Sequence, residues 1–103
     1  GRTLTSNGKG SDHGWGGNHF VLSGALREAT MHGAYPDLSE ASEYRIARGR
    51  MIPTMPWEAM YKPLIEWLGV ADVQAVLPNV NNFNVAMLKS AHEVFMPSPP
   101  SPP

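Results

Sequence analysis

Glycine and proline, ten of each in 103 residues, constrain this chain more than any other feature. Each proline removes a backbone donor and fixes φ, and each glycine weakens the interior of a helix or strand. The sequence therefore predicts short elements joined by many loops. Apolar residues still make up 42%, enough to build a core and to argue against wholesale disorder. The length suits one small domain. Charged residues are sparse at 17% and the net charge is −1, so no basic excess points to nucleic acid or to an anionic membrane. No apolar run is long enough to span a bilayer. The absence of cysteine excludes disulfides, thiolate metal sites and cysteine nucleophiles, and leaves the compartment open. No signal peptide is visible, and the opening Gly1-Arg2-Thr3 fits a processed chain or an expressed fragment.

Residues 1 to 18 are polar and glycine-rich, with Gly8, Gly10, Gly14, Gly16 and Gly17 close together, and read as a loop. His19-Phe20-Val21-Leu22-Ser23 is the best strand candidate, with Gly24 as its breaker. Ala25 to Met31 fits a second short strand or one helical turn. Tyr35-Pro36-Asp37 reads as a turn. Residues 38 to 50 read as loop, with some strand near Arg50-Met51-Ile52. Pro56 then opens a helix, where its missing N–H costs nothing. Met60, Leu64, Trp67 and Leu68 form one apolar stripe at helical spacing, and Gly69 is a natural C-terminal cap. Pro63 should kink this helix or divide it. Asp72 to Leu77 reads as a second helix stopped by Pro78. Asn79 to Phe83 is a turn-rich link, and Asn84 can cap a third helix over Val85 to Phe95. The tail from Pro97 to Pro103 should be extended polyproline II, either a linker or an O-glycosylated tract.

The chemistry concentrates in Ser11-Asp12-His13-Gly14 and Trp15-Gly16-Gly17-Asn18-His19. A carboxylate beside an imidazole suits a divalent cation such as zinc. Adjacent strand residues face opposite ways, so Asp12 and His13 can share an ion only in a bent loop, which Gly10 and Gly14 would supply. His19 is a third candidate ligand. The competing reading is that Asp12 orients His13 or caps a turn and that His19 hydrogen-bonds in a core. His32 and His92 lack nearby partners in sequence and read as structural or surface residues. Gly8-Lys9-Gly10-Ser11 lacks the upstream glycine of a phosphate loop, and no Gly-x-Ser-x-Gly elbow occurs. Arg45, Arg48 and Arg50 can grip a phosphate or sulfate, although such a run is more often a solvated face. Trp57, Tyr61 and Trp67 read first as packing residues of the main helix and only second as a stacking shelf.

The stretch from Gly1-Arg2-Thr3 through Asn7-Gly8-Lys9-Gly10-Ser11-Asp12-His13-Gly14-Trp15-Gly16-Gly17-Asn18-His19-Phe20 resembles a signature near the C-terminus of the domain-of-unknown-function 1501 family. Gly33 to Leu38, Gly49 to Thr54, and Trp67-Leu68-Gly69-Val70 followed by Leu77-Pro78-Asn79 are similar to it in the same order. These sulfatase-like proteins, often exported by the twin-arginine route, are similar to the alkaline phosphatase superfamily. The resemblance implies two metal ions and phosphate- or sulfate-ester hydrolysis in a complete protein. It implies a metal-ligand role for Asp12 and His13, which match the Asp-His-Gly step late in that fold, and makes His19 a plausible further ligand. It also implies a periplasmic, secreted or cell-surface location. No Ser or Thr here matches the superfamily's nucleophile, which comes from earlier in the chain. The residues after about 84 lie outside the resemblance.

The expected fold is thus an α/β fragment: a glycine-rich loop, one or two short strands, then two or three helices, forming the C-terminal part of an alkaline-phosphatase-like fold over residues 1–95, with a Pro/Ser-rich tail over 96–103. The expected function is to supply ligands to a divalent metal, zinc for example, in an ester hydrolase whose missing N-terminal part is the natural partner. Such a segment would be inactive alone. The rival expectation is a non-catalytic assembly module of a secreted or surface protein that pairs with another copy. A truncated reading frame without separate function is the third.

Overall fold

The computed structural model describes residues 2–97. The Pro/Ser stretch from Ser98 onward lies outside them. The described chain is a small mixed α/β structure with three helices and two short two-stranded sheets. The described residues divide into two compact units, residues 2–21 with 31–54 and residues 22–30 with 55–97.

The first unit corrects the reading of residues 1 to 18 as loop. Strand β1 (Arg2–Ser6) pairs antiparallel with β2 (Ser11–His13), with Arg2 opposite His13 and Ser6 opposite Ser11. Asn7 and the glycines close the turn. The Asn7 N–H donates to the Gly10 carbonyl at 2.9 Å, the Asn7 side-chain oxygen accepts from the Lys9 N–H at 2.9 Å, and Gly8 and Gly10 take φ of 89° and 140°. Asn-Gly is a strong local hairpin signal because both residues tolerate positive φ. A second hairpin joins β3 (Arg45–Ile46) to β4 (Arg50–Met51), so strand near Arg50 is as expected. Between them Arg48 and Gly49 both adopt left-handed backbone, with φ of 66° and 69°. Gly49 is required there, because a Cβ would lie 2.9 Å from the backbone nitrogen of Thr5. The Thr5 hydroxyl also donates to the Arg48 carbonyl, tying β1 to this turn. The buried side chains of this unit are polar: Thr3 accepts from the Asp12 N–H at 3.0 Å, and Ser42 accepts from the Tyr44 N–H at 3.2 Å.

In the second unit, α1 (Glu58–Trp67) runs through Pro63 as one helix, so the proline does not divide it into two pieces. The proline ring is buried, and that burial offsets the hydrogen bond its nitrogen cannot make. Ala59 and Pro63 form the buried line of α1, one position behind the stripe read from the sequence. Of that stripe, Trp67 and Leu68 remain exposed. The chain turns at Gly69, with φ of 84°. Then α2 (Val73–Val76) starts at Asp72, whose carboxylate accepts from the Ala75 N–H at 3.2 Å. The expected third helix over 85–95 is broken. Asn84 caps only a single 3₁₀ turn, Val85–Met87, and α3 is Ala91–Val94. Ser90 restarts the helix, its N–H and hydroxyl both donating to Glu93 Oε2 at 2.8 Å.

Glu66 connects α1 to α3. Its Oε2 accepts from the Ala91 N–H at 2.8 Å and its Oε1 from Lys62 Nζ at 2.6 Å. Burial raises the Glu66 pKa, but the Lys62 ammonium and the Ala91 N–H outweigh it and hold the carboxyl below its ordinary range. Phe95, 2% exposed, stacks on Trp67 with ring centroids 4.9 Å apart. The segment Ala25 to Met31 is neither a helical turn nor a full strand. It makes one antiparallel bridge, Leu26 opposite Phe95, flanked by Arg27 N–H to the Val94 carbonyl at 3.0 Å and Met96 N–H to the Ala25 carbonyl at 2.9 Å.

The strand expected over His19 to Ser23 does not form. Residues 20 to 22 join neither sheet and make no backbone ladder among the described residues. Phe20 and Leu22 are each 92% exposed, with Val21 between them at 37%. Among the described residues the buried apolar side chains are Ala59, Pro63, Val80 and Phe95, all in the second unit.

Candidate functional site

The candidate ligands Asp12 and His13 stand on β2, the second strand of the first hairpin. The strand is anchored from both sides of Asp12: its N–H is held by the Thr3 hydroxyl, and its side chain reaches back to Asn7. Asn7 Nδ2 donates to Asp12 Oδ1 at 2.8 Å, and Arg48 Nη2 approaches Asp12 Oδ2 at 3.4 Å. Both carboxylate oxygens are thereby engaged by donors of this chain, one of them cationic. His13 is exposed and lies opposite Arg2 in the hairpin register.

The donor types, one carboxylate and two imidazoles, suit a divalent cation. Their placement does not bring them to one point. Asp12 and His13 occupy consecutive strand positions and so address opposite faces, in place of the bent loop expected from Gly10 and Gly14. His19 lies six residues on, exposed, outside either sheet. Among the described residues no three His, Asp or Glu side chains form a metal-holding group. The arrangement, as it stands in this chain, does not fit a closed metal site.

The arginines have distinct engagements. Arg50 Nε donates to the Ala47 carbonyl at 3.0 Å, and its guanidinium carbon lies 5.5 Å from the centre of the Trp15 ring, a cation–π contact. Arg2 Nε donates to Ser11 Oγ at 3.4 Å. Arg48 reaches Asp12. No sequence signal joins Arg48 to Asp12, because the two are 36 residues apart. Asn7, by contrast, sits in a recognisable Asn-Gly turn.

The second unit carries a cavity of about 710 Å³ whose lining includes Lys62, Val80, Phe83, Leu88, Lys89 and Glu93. None of the candidate ligands borders it. Its charges are internally paired, Lys62 with Glu66 at 2.6 Å and Lys89 with Glu93 at 3.8 Å. Trp57 and Tyr61 stack on one another with centroids 5.8 Å apart, a ring pair rather than an open flat shelf. No helix among the described residues is long and apolar enough to cross a membrane.

No family model, curated protein or solved structure matches the chain.

Proposed function

We propose that this chain is the C-terminal segment of a metal-dependent phosphate- or sulfate-ester hydrolase-like protein, contributing ligands to a divalent metal such as zinc and inactive alone. The proposed ligands are Asp12, His13 and His19, and the proposed setting is periplasmic, secreted or at the cell surface. The nucleophile and the remaining ligands would come from the rest of the same protein. The motif of residues 1 to 20 supports the assignment of class.

One observation carries the reading of a segment within a larger fold. The run Phe20-Val21-Leu22 has strand composition and alternating exposure of 92%, 37% and 92%, yet no strand lies beside it. Burying one such Phe or Leu is worth about 1.5–3 kcal/mol, and an unpaired strand edge adds unmet backbone groups. Leu68, which caps the C-terminal end of α1, is likewise 71% exposed. A neighbouring sheet and its helices would cover both. The same uncovered residues favour a second reading, an assembly module in which another copy provides the cover.

Equilibrium dialysis against zinc, with elemental analysis of the dialysed protein, tests the metal reading on the parent chain beside Asp12→Ala and His13→Ala. Stoichiometric zinc in the parent and loss in both variants is the expected result. Zinc at background in the parent, or retained in both variants, would refute it and leave the assembly module as the better account.

A further inference from the structure

Of the six asparagines in the chain only Asn7 precedes a glycine, and it stands exposed at the tip of the first hairpin. We propose that Asn7 is a site of spontaneous deamidation, restrained by Asp12, and that its conversion to aspartate or isoaspartate opens the β1–β2 hairpin. The co-reactant is water, and the step does not depend on the hydrolase reading. The Gly8 backbone nitrogen gives up its proton to solvent and bonds to Asn7 Cγ. The Cγ–Nδ2 bond breaks, and the nitrogen takes up a proton and leaves as ammonia. Water then opens the cyclic imide. Breaking the new Cγ–N bond gives aspartate, and breaking the original backbone C–N bond gives isoaspartate.

The turn both exposes this chemistry and holds it back. Asn7, Gly8 and Lys9 are all open to solvent, and Gly8 has no side chain to shield its nitrogen. The Lys9 N–H donates to Asn7 Oδ1 at 2.9 Å, and this is the oxygen that turns negative when Cγ is attacked. Asp12 acts in the opposite direction. Asn7 Nδ2 donates to Asp12 Oδ1 at 2.8 Å, a charge-assisted bond that holds the leaving nitrogen in its amide. The developing oxyanion would also form beside an existing negative charge. The Gly8 N–H donates to Ser6 Oγ at 3.0 Å, and that contact must release before the nitrogen can attack. Conversion then reverses the sign of the central contact. A carboxylate at position 7 would face Asp12 where an amide had donated, so a hydrogen bond becomes a like-charge pair. Isoaspartate further adds a methylene to the backbone at the residue whose N–H closes the turn on the Gly10 carbonyl at 2.9 Å.

Peptide mapping by mass spectrometry on the full chain, aged in mildly alkaline buffer, tests the proposal. The other asparagines, each followed by a residue with a side chain, are internal controls. Asn7 is expected to convert first, to a mixture of aspartate and isoaspartate. Asp12→Asn should convert about three- to tenfold faster, the size of one hydrogen bond and one partly screened charge. The parent dissolved in urea should likewise convert faster than the folded parent, because opening the turn releases the same contacts. Asn7→Asp reads the consequence: amide exchange should quicken over Arg2–Ser6 and stay unchanged over Glu58–Trp67. Conversion of Asn7 no faster than that of the other asparagines would overturn the proposal. Equal rates in the folded parent, in Asp12→Asn and in urea would overturn the restraint by Asp12. Unchanged exchange over Arg2–Ser6 in Asn7→Asp would overturn the coupling to the hairpin.

Discussion

Phe95→Ala is expected to abolish cooperative unfolding of the second unit. Phe95, 2% exposed, is the largest of the buried apolar side chains described, the others being Ala59, Pro63 and Val80. It faces Trp67 at 4.9 Å, and the chain beside it is bridged to Leu26. Removing a buried phenyl ring costs about 3–5 kcal/mol through lost transfer energy and the cavity left behind. Whole domains are stable by only about 5–15 kcal/mol, and a unit with so few buried residues belongs at the low end. Near-ultraviolet circular dichroism and a urea titration followed through tryptophan fluorescence should show a broad, early transition. Phe20→Ala is the contrasting variant. Its ring is 92% exposed, so stability should change by less than about 0.5 kcal/mol. A loss at Phe20 equal to that at Phe95 would mean that the ring at position 20 is covered within the isolated chain.

Gly49→Ala is expected to destabilise the first unit by about 2–3 kcal/mol, from two additive causes. The position has φ of 69°, which alanine adopts poorly, and the new methyl would meet the Thr5 nitrogen and Cγ2 at 2.9 Å and Leu4 Cβ at 3.2 Å. The Thr5 nitrogen is backbone in β1, so relief would require moving the strand. Gly24→Ala is the control, with no atom within 4 Å of the added carbon and no positive φ to strain. Amide hydrogen exchange over Arg2–Ser6 and Arg45–Met51 reads the difference: faster exchange in Gly49→Ala and unchanged exchange in Gly24→Ala. Unchanged protection in both would show that β1 does not depend on the Arg48–Gly49 turn.

The parts of the fold that were legible in the sequence are those signalled locally. Pro56 before α1, Gly69 after it, and Asp72 and Pro78 around α2 act within one helical turn of themselves, so their effects can be read without tertiary context. Two further local signals lie in the sequence but went unread. Asn7-Gly8 marks the first hairpin, but the surrounding glycines read as loop. Ser90 with Glu93 marks a helix start, but the spacing of Val85, Leu88, Ala91 and Phe95 reads as one uninterrupted helix. Lys89 and Ser90 lie between the two short helical pieces, and Ser90 draws the Glu93 carboxylate back to its own N–H. The failed strand at residues 19 to 23 has a different cause. Composition can favour extended backbone, but a strand exists only beside another, and pairing is non-local. The α1 stripe failed for the same reason: periodicity shows which side chains share a face, while the packing partner decides which face is buried. At the candidate site, the pairing of Asp12 with His13 as a carboxylate–imidazole step was visible, whereas the Arg48 guanidinium at Asp12 depends on two hairpins meeting.

The central claim is that this chain is completed by cover it does not itself provide. Sedimentation velocity of the purified chain over a range of concentrations, with an apolar fluorescent dye in parallel, tests that claim most directly. The account predicts strong dye binding by the isolated chain, together with concentration-dependent association of indefinite size. A discrete dimer or higher closed assembly that excludes the dye would support the assembly module in place of the hydrolase segment. A compact monomer that binds no dye at any concentration would contradict both, because Phe20, Leu22 and Leu68 would then need no partner.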